Sequence, residues 1–168
     1  MEHPLIAKKA FHITREVLKT AAEESNDKKL DGKTDGGQVD AFRHCYWMAM
    51  LSGSISAKKA IRLGMAHERG NYLDFKKGKT EEGAVPDSVS SAMDLFNNMR
   101  GIELRQVHPH EKASEISALV VEMILQGKLL IIRTDERGNF LDANHNKIDL
   151  NAWKGRWGVP KDLIPSAH

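Results

Sequence analysis

Apolar residues recur at three- and four-residue intervals through most of this chain, a spacing that predicts helices. Ile6, Ala10, Ile13, Val17 and Ala21 form one such stripe, so Leu5 to Glu24 reads as a first helix. The polar stretch Ser25 to Gln38 ends it, with Asp31-Gly32 and Asp35-Gly36-Gly37 as turn formers. A second helix runs from about Val39 to Leu51, and Ser56 caps a third from Ala57 to about Tyr72. Lys76 to Asp87, broken by Gly78, Gly83 and Pro86, is a second polar excursion. A fourth helix follows from Ser88 to about Arg100, stopped by Gly101. A fifth starts near Pro109 and carries Ile116, Leu119, Val120, Met123 and Ile124. The short run Leu129 to Ile132, a turn over Asp135 to Asn139, and Phe140-Leu141 predict a small hairpin. In the tail, Trp153 and Trp157 are expected to pack back onto the helices, leaving a flexible end over 161–168. No internal repeat is evident. The expected fold is therefore mainly α: an irregular bundle of about five helices with a small C-terminal β-hairpin.

At 168 residues this is expected to be one domain, large enough to bury roughly 70% of its unfolded surface. The formal charge of +2 comes from basic residues interleaved with acids, which gives no strong nucleic-acid signal. No run approaches the roughly 18 apolar residues of a transmembrane helix. Leu5 to Ala7 are followed at once by Lys8 and Lys9, so no signal peptide is visible. Localisation stays open between the cytoplasm and export after loss of a leader. Cys45 is the single cysteine, which excludes an internal disulfide, and its place in a buried helix predicts an inert thiol.

Three segments put polar side chains where the pattern demands apolar ones, and such groups need partners. Asp40 and His44 lie four apart on the second helix and so share a face, with Trp47, Met48 and Leu51 continuing near it. The pair reads either as a bridge that orients a core histidine or as metal ligands. On the third helix, His67 and Glu68 both fall in largely apolar rows. Asn71 stands where a His-Glu-x-x-His zinc motif needs its second histidine, which rejects that motif. On the fourth, Asp94, Asn97 and Asn98 interrupt Met93, Leu95, Phe96 and Met99, although asparagine disfavours helix interiors. Together these offer an oxygen and nitrogen donor set that suits zinc first, otherwise magnesium, manganese or calcium. Elsewhere, His108-Pro109-His110 with Glu111 reads as surface capping. Asp142 to Asn146 resembles the opening of a calcium loop but lacks its glycine, at Lys147, and its closing glutamate, at Trp153.

The run Asp40-Ala41-Phe42-Arg43-His44-Cys45-Tyr46-Trp47, then Ala66-His67-Glu68, then Met93-Asp94-Leu95-Phe96-Asn97-Asn98 with Gly101, resembles an uncharacterised bacterial family of the DUF6973 kind. The likeness runs through a motif-bearing core over about 39–103. Proteins resembling it stand alone, are exported, or form C-terminal domains of toxin-like polypeptides. The resemblance implies a helical domain whose site residues are Asp40, Arg43, His44, His67, Glu68, Asp94, Asn97 and Asn98. Their order is loosely like that of helical zinc-dependent phospholipases C and nucleases, although those use more histidines.

The leading expectation is a hydrolytic site at the junction of helices two to four, acting on a phosphoester or phospholipid. Asp40, His44, His67 and Asp94 are the candidate metal ligands. Glu68 is the candidate general base, His67, Arg43 and Asn98 are further catalytic candidates, and Asn97 and Trp47 support them. One alternative is a metal-free glycan or peptidoglycan hydrolase using Glu68 and Asp94. The other is a non-enzymatic binding or structural module, with the same groups in a closed polar network.

Overall fold

The computed structural model describes residues 4–80 and 85–167. Five helices follow one another: α1 (Pro4–Asn26), α2 (Gln38–Ser54), α3 (Ala57–Lys76), α4 (Ser88–Val107) and α5 (Ala113–Leu125). Two short strands, β1 (Leu130–Ile132) and β2 (Leu163–Pro165), complete the described structure. The mainly helical fold expected from the periodicity is the fold observed.

The second helix is the centre of the molecule. It touches all four other helices and β1, and buries ten of its 17 residues on more than one side. Phe42, Cys45 and Ala49 on α2 join Val17 and Ala21 from α1, Ile116, Val120 and Ile124 from α5, and Leu129, Ile131 and Ile164 near the sheet. Each fully buried aliphatic side chain there contributes roughly 1.5–3 kcal/mol. A smaller cluster of Met48, Leu51, Ala60 and Ile102 binds α2 to α3 and α4.

Three boundaries differ from expectation, and the first is the end of α3, at Lys76 rather than about Tyr72. Gly101 does not stop the fourth helix, which runs on to Val107. The glycine serves packing: a Cβ there would collide with the carbonyl oxygen of Cys45 and lie 3.0 Å from the amide of Ala49. The fifth helix begins at Ala113 rather than near Pro109, where Lys112 donates its backbone N–H to Glu115 Oε2 at 2.6 Å. The expected turn over Asp135 to Asn139 is present, with Thr134 bridged to Phe140 and Leu141 N–H donating to Arg133 O at 3.0 Å, but β1 itself has another partner. β1 pairs antiparallel with β2, with Ile131 opposite Ile164, so a strand lies inside the end expected to be flexible. Ser166 then donates its hydroxyl to Ile124 O at 2.8 Å and its amide to Leu129 O at 2.9 Å.

Between the strands the chain makes two alike turns, seven residues apart. Asp135 and Asp142 each donate a backbone N–H, at 3.0 Å, to the carbonyls of Asn139 and Asn146, while their carboxylates accept amides within the same turn. Gly138 and His145 hold the matching left-handed position, at φ 79° and 63°. The repeat escapes the sequence pattern because a histidine stands where a glycine is usual. Asp142 thus closes an Asx turn. Trp157 packs its ring on Tyr72 and Phe75 of α3, at 5.0 and 5.1 Å between centroids, as the tail was expected to do.

Candidate functional site

The connection into α2 is pinned before the helix begins. Asp31 accepts the amides of Lys33 and Gln38, and the Gly36 carbonyl accepts Ile132 N–H at 2.7 Å from β1. Gly36 is left-handed at φ 70° and packs so close to Ile132 that a Cβ would lie 3.0 Å from its Cδ1. Its own N–H donates to Asp40 Oδ2 at 2.8 Å. One oxygen of Asp40 is thus held by the loop, and the other is turned to the site.

On that side four groups meet. Arg43 Nη2 donates to Asp40 Oδ1 at 2.6 Å and lies 3.2 Å from His44 Nε2. His44 Nε2 is 3.5 Å from Asp40 Oδ1 and 3.3 Å from Asp94 Oδ1, across the close crossing of α2 and α4. Helical spacing of three and four residues makes the first contacts, and the glycine-mediated approach of the two helices makes the last. Asp40, His44 and Asp94 are all buried, and one donor atom from each lies within 4.8 Å of the others, an arrangement that could hold a metal ion. Burying two carboxylates demands nearby positive charge, and Arg43 supplies one unit of it.

A narrow polar cleft, of cavity volume about 50 Å³, opens onto this cluster. Asp40, Arg43 and Asp94 form part of its wall with Asp35, Asn71 and Ser90. Behind the cluster lies a mostly apolar cavity of about 110 Å³, bordered by His44, Trp47 and His67. His67 stands with its ring centre 6.2 Å from that of His44 and 5.7 Å from that of Trp47, outside the close Asp40–His44–Asp94 group. Trp47 donates its indole N–H to Thr14 Oγ1 at 3.0 Å, which ties α2 to α1.

The remaining sequence candidates divide. Glu68 is buried, and Asn71, which lines the cleft, donates to its Oε2 at 3.4 Å. Asn97 is turned away: its amide donates to Leu130 O at 2.9 Å and accepts Leu130 N–H at 3.0 Å, imitating a neighbouring strand for β1. Asn98 is buried facing α3, where Gly64 leaves room for it and for Met48, and its amide makes no hydrogen bond among the described residues. The Cys45 thiol is fully buried, and burial pushes its pKa up to about 12, so it is no nucleophile at neutral pH. His108 and Glu111 pair at 3.2 Å on the surface, as expected of a capping group.

Several groups near the site were not singled out in the sequence. Asp87 caps α4 by accepting the amides of Val89 and Ser90 at 2.8 and 3.1 Å; its place just before the helical run at Ser88 was the available signal. Its other oxygen pairs at 2.6 Å with Lys161, whose ammonium also reaches Ser90 Oγ at 3.3 Å and lies 4.0 Å from the Phe140 ring centre. Asp35 is exposed at the mouth of the cleft. Partial desolvation by the surrounding protein raises its pKa, and the charges of Asp40 and Asp87 push the same way, against Lys161 and Arg43. A loop aspartate followed by two glycines has no sequence feature that separates it from an ordinary turn.

Fold and site together define a mainly helical protein with a buried carboxylate–imidazole centre. The model of a family described as "Domain of unknown function (DUF6973)" matches residues 1–128, and the chain belongs to that family. No curated protein and no solved structure matches it. No helix among the described residues is long and apolar enough to cross a membrane.

Proposed function

We propose that this protein is a divalent-cation-dependent hydrolase of a phosphoester, with zinc the first ion to test and magnesium, manganese or calcium after it. The observation that carries this reading is the convergence of Asp40, His44 and Asp94, one donor atom of each within 4.8 Å of the others, with Asp40 and Asp94 in the wall of a narrow cleft. Separations of 3.5 and 3.3 Å from His44 Nε2 suit the edge of a tetrahedron, about 3.4 Å for ligand bonds near 2.1 Å. Two carboxylates and one imidazole leave further coordination positions for water and substrate.

A bound ion of this kind supplies a more acidic water and a polarised phosphoryl oxygen. The protein's own side chains do the rest. Arg43 lines the cleft and offers a guanidinium that matches phosphoryl oxygens. Glu68, tied to the cleft wall through Asn71, is the group to take the proton of the attacking water. As the water oxygen bonds to phosphorus the ester P–O bond breaks, and the leaving oxygen takes up a proton. Asp35, at the mouth and protonated to higher pH than an ordinary carboxyl, is placed to give it.

The test is hydrolysis of an aryl phosphoester with each of the four ions. Turnover is expected with at least one, falling by more than about a hundredfold in His44→Ala and Asp94→Asn, beyond the loss usual when a group merely supports a ligand. Absence of turnover with all four contradicts the proposal.

One observation favours a second reading. Arg43 Nη2 already stands between Asp40 and His44, at 2.6 and 3.2 Å, so the guanidinium itself can balance the cluster. On that reading Asp40, Arg43, His44 and Asp94 form a polar network that fixes the register of α2 against α4. His44→Ala would then lower stability without releasing any ion.

A further inference from the structure

The polar cleft has room for a reacting group and little more, at about 50 Å³. Beside it runs a groove of about 500 Å³, between the start of α4 and residues 140–161. Cleft and groove share Asp35, Val85 and Pro86 as a common wall, so a molecule reacting in one extends naturally into the other. The far side of the groove is apolar, with Phe140, Leu150 and Trp153. Lys154 and Arg156 add positive charge to it; both are exposed, and neither enters an ion pair among the described residues. Arg156 lies over the Trp153 ring at 5.3 Å, a stacking that leaves the guanidinium edge able to meet an anion. Lys161 in the same wall is already neutralised by Asp87 at 2.6 Å. Asp35 stands in the wall that groove and cleft share.

We propose that this groove binds the non-reacting part of the substrate, and that the substrate is a phosphoester bearing an apolar or aromatic group. The apolar part rests against Leu150, Trp153 and Phe140, while Lys154 and Arg156 favour its anionic charge. This assignment rests on the phosphoester reading of the cleft and adds the substrate class. The far wall lies beyond the family-matched residues 1–128, whereas Asp40, His44 and Asp94 lie within them. Selectivity for the bulky group is thus built from a different part of the chain than the reacting centre.

Calorimetric binding to chelator-treated full-length protein tests it, so that failure of the metal reading leaves this outcome separate. The probes are adenosine monophosphate, dihexanoyl phosphatidic acid below its micelle concentration, and inorganic phosphate. At least one ester is expected to bind about tenfold or more tightly than phosphate. Arg156→Glu, an exposed change that spares the fold, and Trp153→Ala, checked for native circular dichroism, are each expected to weaken that ester about tenfold. Preference for the nucleotide assigns the wall to base stacking, and preference for the lipid assigns it to acyl chains; either upholds the groove. Phosphate binding as tightly as both esters, or ester binding unchanged in both variants, overturns it.

Discussion

Asp40 shows how one residue can be both structural and chemical. Its two oxygens are divided: Oδ2 accepts the Gly36 amide, and Oδ1 meets Arg43 and His44. The first contact makes burial tolerable, and the second places negative charge in the site. Sequence spacing was enough to put Asp40 and His44 on one face, because helical geometry is local. Asp94 stood out as a carboxylate in an apolar helix and was counted with His44 among the candidate ligands, but its meeting with His44 comes from packing that no local rule contains. Cys45, the neighbour of His44, was legible in full, since a lone thiol among core residues is expected to be inert. Its raised pKa has a consequence for stability. The thiol ionises near its ordinary value of 9.0 in the unfolded chain but near 12 in the folded one. Between those values the folded state holds the extra proton, so stability is fully present below the lower value and is lost as pH rises toward the higher. The shift corresponds to about 4 kcal/mol at its limit. Urea unfolding at neutral pH and near pH 10 should show a steeper alkaline loss for the wild type than for Cys45→Ala, in which this contribution is gone.

Among the elements, the crossing of α2 and α4 matters most, because it brings Asp94 to His44. Gly101 permits the crossing: a Cβ there meets rigid backbone at Cys45 and Ala49. At Gly53 a Cβ would meet the Arg105 side chain, 2.9 Å from its Nε, and a flexible side chain can move. Gly101→Ala should therefore cost roughly 3 kcal/mol or more, with loss of any metal affinity, while Gly53→Ala should cost about 1 kcal/mol or less. Chemical denaturation of the two variants measures the contrast. The same glycine explains a misplaced boundary, since a glycine after a helical run looks locally like a stop, and only the opposing helix shows that it is a contact. Asn97 teaches a similar lesson. A polar residue in an apolar helix suggested a site group, yet its partner is the backbone of Leu130, 33 residues away. The strand pairing was legible in part: Phe140 and Leu141 turn back onto Thr134 and Arg133 as expected, whereas β1 takes its partner from the chain end.

At the scale of the molecule, a family-matched helical core carries the buried centre, and the C-terminal segment closes around it. Trp157 seats that segment on α3, Lys161 ties it to the Asp87 cap, and β2 pairs with β1. The Trp157 contact was legible in the sequence; the other two were not, since Asp87 and Lys161 look like ordinary surface charges until each is seen to neutralise the other. The helical core was legible because its periodicity is strong, and its three polar anomalies did mark the neighbourhood of the cleft. Asp40, His44 and Asp94 are proposed to hold a divalent ion. The most direct measurement is the metal content, by plasma mass spectrometry, of protein purified without a polyhistidine tag or chelator and then equilibrated with zinc. About one ion per chain is expected, with the ion lost in Asp94→Asn while circular dichroism stays native. A folded wild-type protein that retains no ion, or an Asp94→Asn variant that binds it equally well, would rule out a metal site at these three residues.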